Sequence, residues 1–172
     1  MAVLTNPKID SLLERTSRSF YPTLKYLPKK IRGQIGLLYL LARVADTIAD
    51  SKHGETEVLL EALSAYNEVA QGRSQTLPDF MELAEAQTNE HEAELLRNVE
   101  DVVEGLKDYD RGDQQRILSC LDIIIGGQIL DLQRFGMAKE GGSISSLTTD
   151  SELDDYAFRV AGCVGVFWTE MS

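Results

Sequence analysis

Asp46 and Asp50 stand one helical turn apart in the run Y-L-L-A-R-V-A-D-T-I-A-D at 39–50. Carboxylates at i and i+4 point the same way from adjacent turns and repel unless a cation bridges them. Magnesium suits such a pair, because it takes hard oxygen ligands and prefers one or two carboxylates together with substrate phosphates. Tyr39 and Arg43 extend the line, so that the four residues stand at i, i+4, i+7 and i+11 and share one stripe of a helix. Around them almost everything is apolar: Leu37, Leu38, Leu40, Leu41, Ala42, Val44, Ala45, Ile48 and Ala49. A surface helix has a broad polar face and a narrower apolar one; here the proportions are reversed. Such a helix is expected to be buried over most of its girth, with its charged line facing a cavity, a metal or both. A core helix whose wet face carries an Arg43–Asp46 or Arg43–Asp50 ion pair fits the same pattern.

Two further groups could carry chemistry. Ser17, Arg18 and Ser19 place two hydroxyls beside a guanidinium, a reasonable phosphate grip, although such clusters are usually solvated surface. In Y-A-F-R-V-A-G-C-V-G at 156–165, two glycines interrupt a helical pattern at about 1 kcal/mol each relative to alanine. Close helix packing or room for a ligand must offset that. Tyr156 shares a face with Val160 and reads either as a core tyrosine or as a reactive one. A second D-x-x-x-D, Asp150 and Asp154, falls at a helix start and reads as capping. His53 and His91 have no partners in sequence, and no Ser–His–Asp set, H-E-x-x-H, phosphate loop or dinucleotide fingerprint occurs.

The elements that must position these groups are all helical. The pattern predicts a first helix capped by Asn6 or Asp10 and carrying Leu12, Leu13 and Phe20, a break bracketed by Pro22 and Pro28, and a helix from there to Asp50. A turn at Lys52-His53-Gly54 leads to a helix over 57–71 closed by Gly72. Helices over 80–86, 90–109 and 116–135 follow, the last two separated by Gly112-Asp113. A Gly/Ser-rich loop at 136–146 precedes a capping box, Thr149-x-x-Glu152, and a last helix that meets no stop signal after Trp168. No alternating pattern suggests a strand. The expectation is one helical domain over 1–172, apparently truncated at its C-terminal end; ordinary fraying of a terminus is the alternative.

Composition sets limits. A chain of 172 residues, 43% hydrophobic and 26% charged, can bury a globular core. A net charge of −11 argues against nucleic acid and against electrostatic docking to anionic lipid. Cys120 and Cys163 lie in apolar runs and read as buried reduced thiols. No signal peptide and no bilayer-spanning stretch is visible. A cytoplasmic protein is expected, though a lipid-handling enzyme can also touch a membrane peripherally. Oligomeric state is not legible.

Taken in order, the motifs S-R-S-F at 17–20, L-P-x-x-I-R at 27–32, the 39–50 run and Y-A-F-R-V-A-G-C-V-G at 156–165 resemble the N-terminal half of the squalene/phytoene synthase family of head-to-head prenyl transferases. The resemblance runs from about Thr16 to the end and is nearest to squalene-forming members. It implies an all-α, isoprenoid-synthase-type bundle around a central cavity. It makes Asp46 and Asp50 the first magnesium-binding pair and Ser17, Arg18 and Ser19 the diphosphate grip. It sets Phe20, Tyr39 and Arg43 beside the site, gives Tyr156 a part in the first half-reaction, and places Val160, Val164 and Gly165 along the prenyl tail. The family's second aspartate-rich motif is expected beyond Ser172, so the chain as it stands carries half the metal ligands and is expected to be inactive alone. The implied reaction joins two farnesyl diphosphates through presqualene diphosphate to squalene, with NADPH as reductant. The alternatives are a phytoene or dehydrosqualene synthase and a non-catalytic relative serving assembly.

Overall fold

The computed structural model describes residues 2–51, 55–139 and 146–172, the side chains of 137–139 excepted. Helix α1 (Pro7–Ser17) starts at Asn6, whose side chain accepts the Lys8 N–H at 2.9 Å, with Pro7 at the first helical position. Asp10 is therefore not the cap. It is a buried acceptor: Oδ1 takes the N–H groups of Val3 (2.8 Å) and Leu4 (2.9 Å), and Oδ2 takes the Tyr21 hydroxyl (2.6 Å). One carboxylate thus folds the N-terminal strap back over α1 and ties it to α2 (Phe20–Tyr26). Phe20 opens this second helix instead of closing the first. Pro22 lies in its first turn, where its missing N–H is not needed, so the breaks fall at Arg18–Ser19 and at Leu27–Pro28 instead of at Pro22. The buried Arg32 spans that corner, donating to the Leu27 carbonyl at 2.8 Å.

Helix α3 (Lys29–Ala49) is the axis of the fold. Leu40, Leu41, Val44, Ala45 and Ile48 have no solvent exposure, and burying each of the larger ones stabilises by about 1.5–3 kcal/mol. Helix α4 (Thr56–Ala70) packs on it through Leu59, Leu63 and Tyr66, the Tyr66 hydroxyl donating to the Leu41 carbonyl at 3.0 Å. It ends as expected at Gly72, with φ at 72°. The N–H of Gly72 bonds Val69 and that of Arg73 bonds Glu68, the paired closure that a left-handed residue permits.

After the short α5 (Met81–Glu85), the helix expected over 90–109 is divided into α6 (Glu90–Arg97), α7 (Val99–Glu104) and a 3-10 turn (Gly105–Asp108). The divider is Asn98, whose side-chain amide donates to the Glu94 carbonyl at 2.7 Å while its backbone leaves helical geometry. Asparagine competes with the backbone in this way.

Helix α8 (Arg111–Lys139) starts five residues earlier than expected. Asp110 accepts the Asp113 N–H at 2.9 Å and so caps the helix, placing Gly112-Asp113 in its first turn. The same helix runs through Gly136 into the stretch expected to be loop. The Lys52-His53-Gly54 turn and the glycines at 141–142 lie outside the described residues. The capping box at Thr149 and Glu152 forms and opens α9 (Asp150–Ala157). What looked like one closing helix is α9, a π-helical turn (Phe158–Gly162) and α10 (Cys163–Met171).

Helix α8 packs along α3 and α4 on one side and receives the π turn and α10 on the other. Cys120 and Cys163 meet at this second contact as buried free thiols, and burial pushes Cys120 up to about 12. Among the described residues there is no strand, and no helix is long and apolar enough to cross a membrane. Replacing Asp10 with alanine leaves three donors without their acceptor. Urea denaturation is expected to show a loss of about 2–4 kcal/mol, against about 1 kcal/mol for Tyr21→Phe, which leaves both backbone bonds in place.

Candidate functional site

Asp46 and Asp50, the C-terminal part of the α3 polar stripe, border α8, because much of the rest of the helix is taken up by core contacts. Asp46, Ala49 and Asp50 form one wall of a cavity of about 330 Å³. Helix α8 supplies the second wall with Ile124, Gln128, Asp131, Leu132, Phe135 and Gly136, and the π turn supplies a third with Arg159 and Val160. Its size is at the lower end of the ~300–1,000 Å³ typical of small-molecule sites. Apolar side chains and three carboxylates share the lining. A second, smaller cavity lies on the other flank of the same aspartates, between Arg43, Thr47, Gln87 and Glu92.

Asp46 is half-buried and Asp50 exposed. The Gln128 amide donates to Asp46 Oδ1, holding that carboxylate toward α8. Desolvation raises the Asp46 carboxyl above its ordinary value. Arg43 pulls it back down, the neighbouring Asp50 raises it further, and the Gln128 bond lowers it. Arg43 reaches Asp46 only at 4.0 Å; its closer partner is Glu92 of α6, which the sequence did not suggest. The expected ion pair is therefore present in its Arg43–Asp46 form but subordinate to a bridge between helices. Burial also raises the Tyr39 hydroxyl, with Arg43 lowering it and Asp46 raising it, which keeps the phenol neutral.

The Phe20 ring packs on Tyr39 with centroids 4.9 Å apart, bringing the start of α2 to the stripe one turn before Arg43. Ser17 is buried and its hydroxyl donates to the Leu13 carbonyl at 2.5 Å. Arg18 and Ser19 are exposed, and Arg18 is the one non-glycine with positive φ among the described residues (47°). Strain of that kind costs on the order of 1–3 kcal/mol. Neither cavity is lined by 17–20. Val160 lines the larger cavity, whereas Val164 and Gly165 sit on the exposed face of α10, Gly165 with open space where a side chain would stand. Tyr156 is half-buried on α9. Gln128, Asp131 and Phe135 were missed, although polar positions three apart within an apolar helix are the same signal that exposed the α3 stripe.

A family model described as squalene/phytoene synthase matches residues 13–172. The chain belongs to the squalene/phytoene synthase family. The family is a class of prenyl transferases that condense prenyl diphosphates head to head, and the all-helical architecture agrees with an isoprenoid-synthase-type fold. A search of curated proteins finds no match.

Two carboxylates with an amide behind one of them fit a hard divalent cation. Among the described residues, no three Asp, Glu, His or Cys side chains gather closely enough to hold a metal unaided. Such a site favours an ion that keeps its waters and completes its shell with a ligand's phosphate oxygens. Because the folded state raises the Asp46 carboxyl, it binds that proton more tightly than the unfolded chain does. Stability tied to this group is greatest in acid and falls as pH rises from the ordinary carboxylate value of 3.8 through the raised one. In metal-free buffer Asp46→Asn is therefore expected to melt higher than the parent at pH 7, with the difference vanishing near pH 3. A variant that melts lower at pH 7 would show that Asp46 holds the fold together as an ion-pair partner.

Proposed function

We propose that this protein joins two farnesyl diphosphates head to head, forming presqualene diphosphate and then squalene. The observation that carries this reading is the pairing of Asp46 and Asp50 with an apolar wall, Ile124, Leu132, Phe135 and Val160, across one cavity. A diphosphate needs the first and a prenyl tail the second.

Asp46 and Asp50 would hold magnesium, which when bound neutralises the diphosphate and makes it a leaving group. Gln128 orients Asp46 for that task. Arg18 with Ser19 would meet the diphosphate from the α1–α2 corner; Ser17, whose hydroxyl is engaged by Leu13, supports the turn. Departure of the diphosphate leaves an allylic cation. The tilted, packed Phe20 and Tyr39 rings would offer it negative π faces, worth ~0.5–2 kcal/mol each depending on desolvation. Arg43, braced by Glu92, supplies positive charge at the polar end. The second substrate's double bond attacks the cation, and proton loss, with Tyr156 as the assigned base or relay, closes the cyclopropane. Val160, Val164 and Gly165 would border the tail; the remaining diphosphate would leave in a second ionisation, the cyclopropyl cation would rearrange, and hydride from NADPH would quench it to squalene.

With the family's second aspartate-rich motif also present in the protein assayed, farnesyl diphosphate with magnesium and NADPH is expected to yield squalene, and without NADPH to stop at presqualene diphosphate. Analysis of extracted products by mass checks this, and phytoene or dehydrosqualene instead would correct the product assignment. Asp46→Asn and Asp50→Asn are each expected to lower turnover at least 100-fold while keeping a cooperative melt. Undiminished turnover in both would remove the metal role.

A further inference from the structure

Arg159 has no part in the reading above, yet it sits on the wall of the Asp46–Asp50 cavity. Its position is built by two helices. In α8, Gly126 and Gly127 are adjacent glycines deep inside a helix, an arrangement that weakens it by about 1 kcal/mol per glycine relative to alanine. The reason is Arg159. A Cβ at Gly127 would lie 2.9 Å from the Arg159 Cβ, and one at Gly126 would lie 3.2 Å from Arg159 Nη1. The side chain therefore lies across the bare backbone of α8 and extends along it. On its own side Arg159 occupies the π turn, where an extra residue per turn re-aims side chains, a feature common at functional sites. Asp155, one turn earlier, accepts from Nε at 2.9 Å and fixes the plane of the guanidinium.

The result is a cation seated by packing. Its side chain is two-thirds buried, and it is the only cation among the described residues lining a cavity that holds three carboxylates. Arg43, the nearest alternative, opens onto the other cavity and is engaged by Glu92. A guanidinium anchored through Nε still presents Nη donors in a planar fork, which matches phosphate oxygens. We propose that Arg159 is a diphosphate-binding residue, gripping the anion from the π-turn wall while Asp46 and Asp50 hold it through a divalent cation from α3. This deepens the proposed function and rests on its assignment of a prenyl diphosphate to the cavity.

Calorimetric titration of the protein with saturating magnesium separates the two claims. The probes are inorganic pyrophosphate, the non-ionising farnesyl thiodiphosphate, and farnesol, which shares the tail and lacks the anion. Measurable binding of pyrophosphate and thiodiphosphate by the parent protein tests the site, and the ratio of variant to parent affinity tests Arg159. Arg159→Gln is expected to weaken both anions at least 10-fold and to leave farnesol unchanged. Arg159→Lys, which keeps the charge and loses the fork, is expected to weaken them about 3–10-fold and covers the case in which the glutamine variant does not fold. Parent-like anion affinity in either folded variant overturns the role of Arg159 and leaves the site reading intact. An equal loss for farnesol and the anions also overturns it, marking a structural residue that only braces α8. A parent protein that binds neither anion overturns both.

Discussion

Two like charges held a turn apart against an apolar wall are the constraint around which this protein is arranged. Asp46 and Asp50 repel each other, and Asp46 is further disfavoured by loss of water. An isolated helix would turn such a pair outward. Here α3 cannot rotate, because Leu40, Leu41, Val44 and Ile48 are locked into the core on its other faces. Rotation would expose several fully buried aliphatic side chains at about 1.5–3 kcal/mol each. Hydrophobic burial thus holds the acids where electrostatics alone would not. The remaining polar architecture moderates the strain: Gln128 reaches across from α8, and Arg43 is steadied by Glu92 from α6.

The elements legible in the sequence were those whose cause is local. Gly72 ends α4 because only a residue tolerant of positive φ closes that turn, and Thr149 with Glu152 opens α9 because both halves of the capping box lie within four residues. The burial of α3 was legible because its apolar residues cover nearly the whole circumference. Misplaced boundaries have a different origin. Asn98 divides a periodic stretch through its own side chain, and Asp110 starts α8 through a glycine-containing turn that reads as a breaker. In both, one side-chain hydrogen bond outweighs the hydrophobic period.

Site residues divide in the same way. Asp46, Asp50 and Val160 announce themselves within their own helices and share a cavity. Partners such as Gln128, Asp131 and Glu92 are polar residues on ordinary-looking helices and acquire meaning only when α6 and α8 are set beside α3. The diglycine at 126–127 shows this most plainly. Alone it looks like a weak point in a long helix; beside the π turn it is the groove in which Arg159 lies.

The π turn has a consequence for how the closing part of the chain is read. One surplus residue advances the helical phase by about 100°. Within it, Arg159 and Val160 line the cavity; downstream, Cys163, Phe167 and Met171, spaced by four, are buried in the core. A single uninterrupted α-helix could not serve both directions with this sequence. Extending the α9 periodicity straight through this turn would turn every downstream position by that angle, so the phase of α10 has to be counted from Cys163 rather than from Asp150.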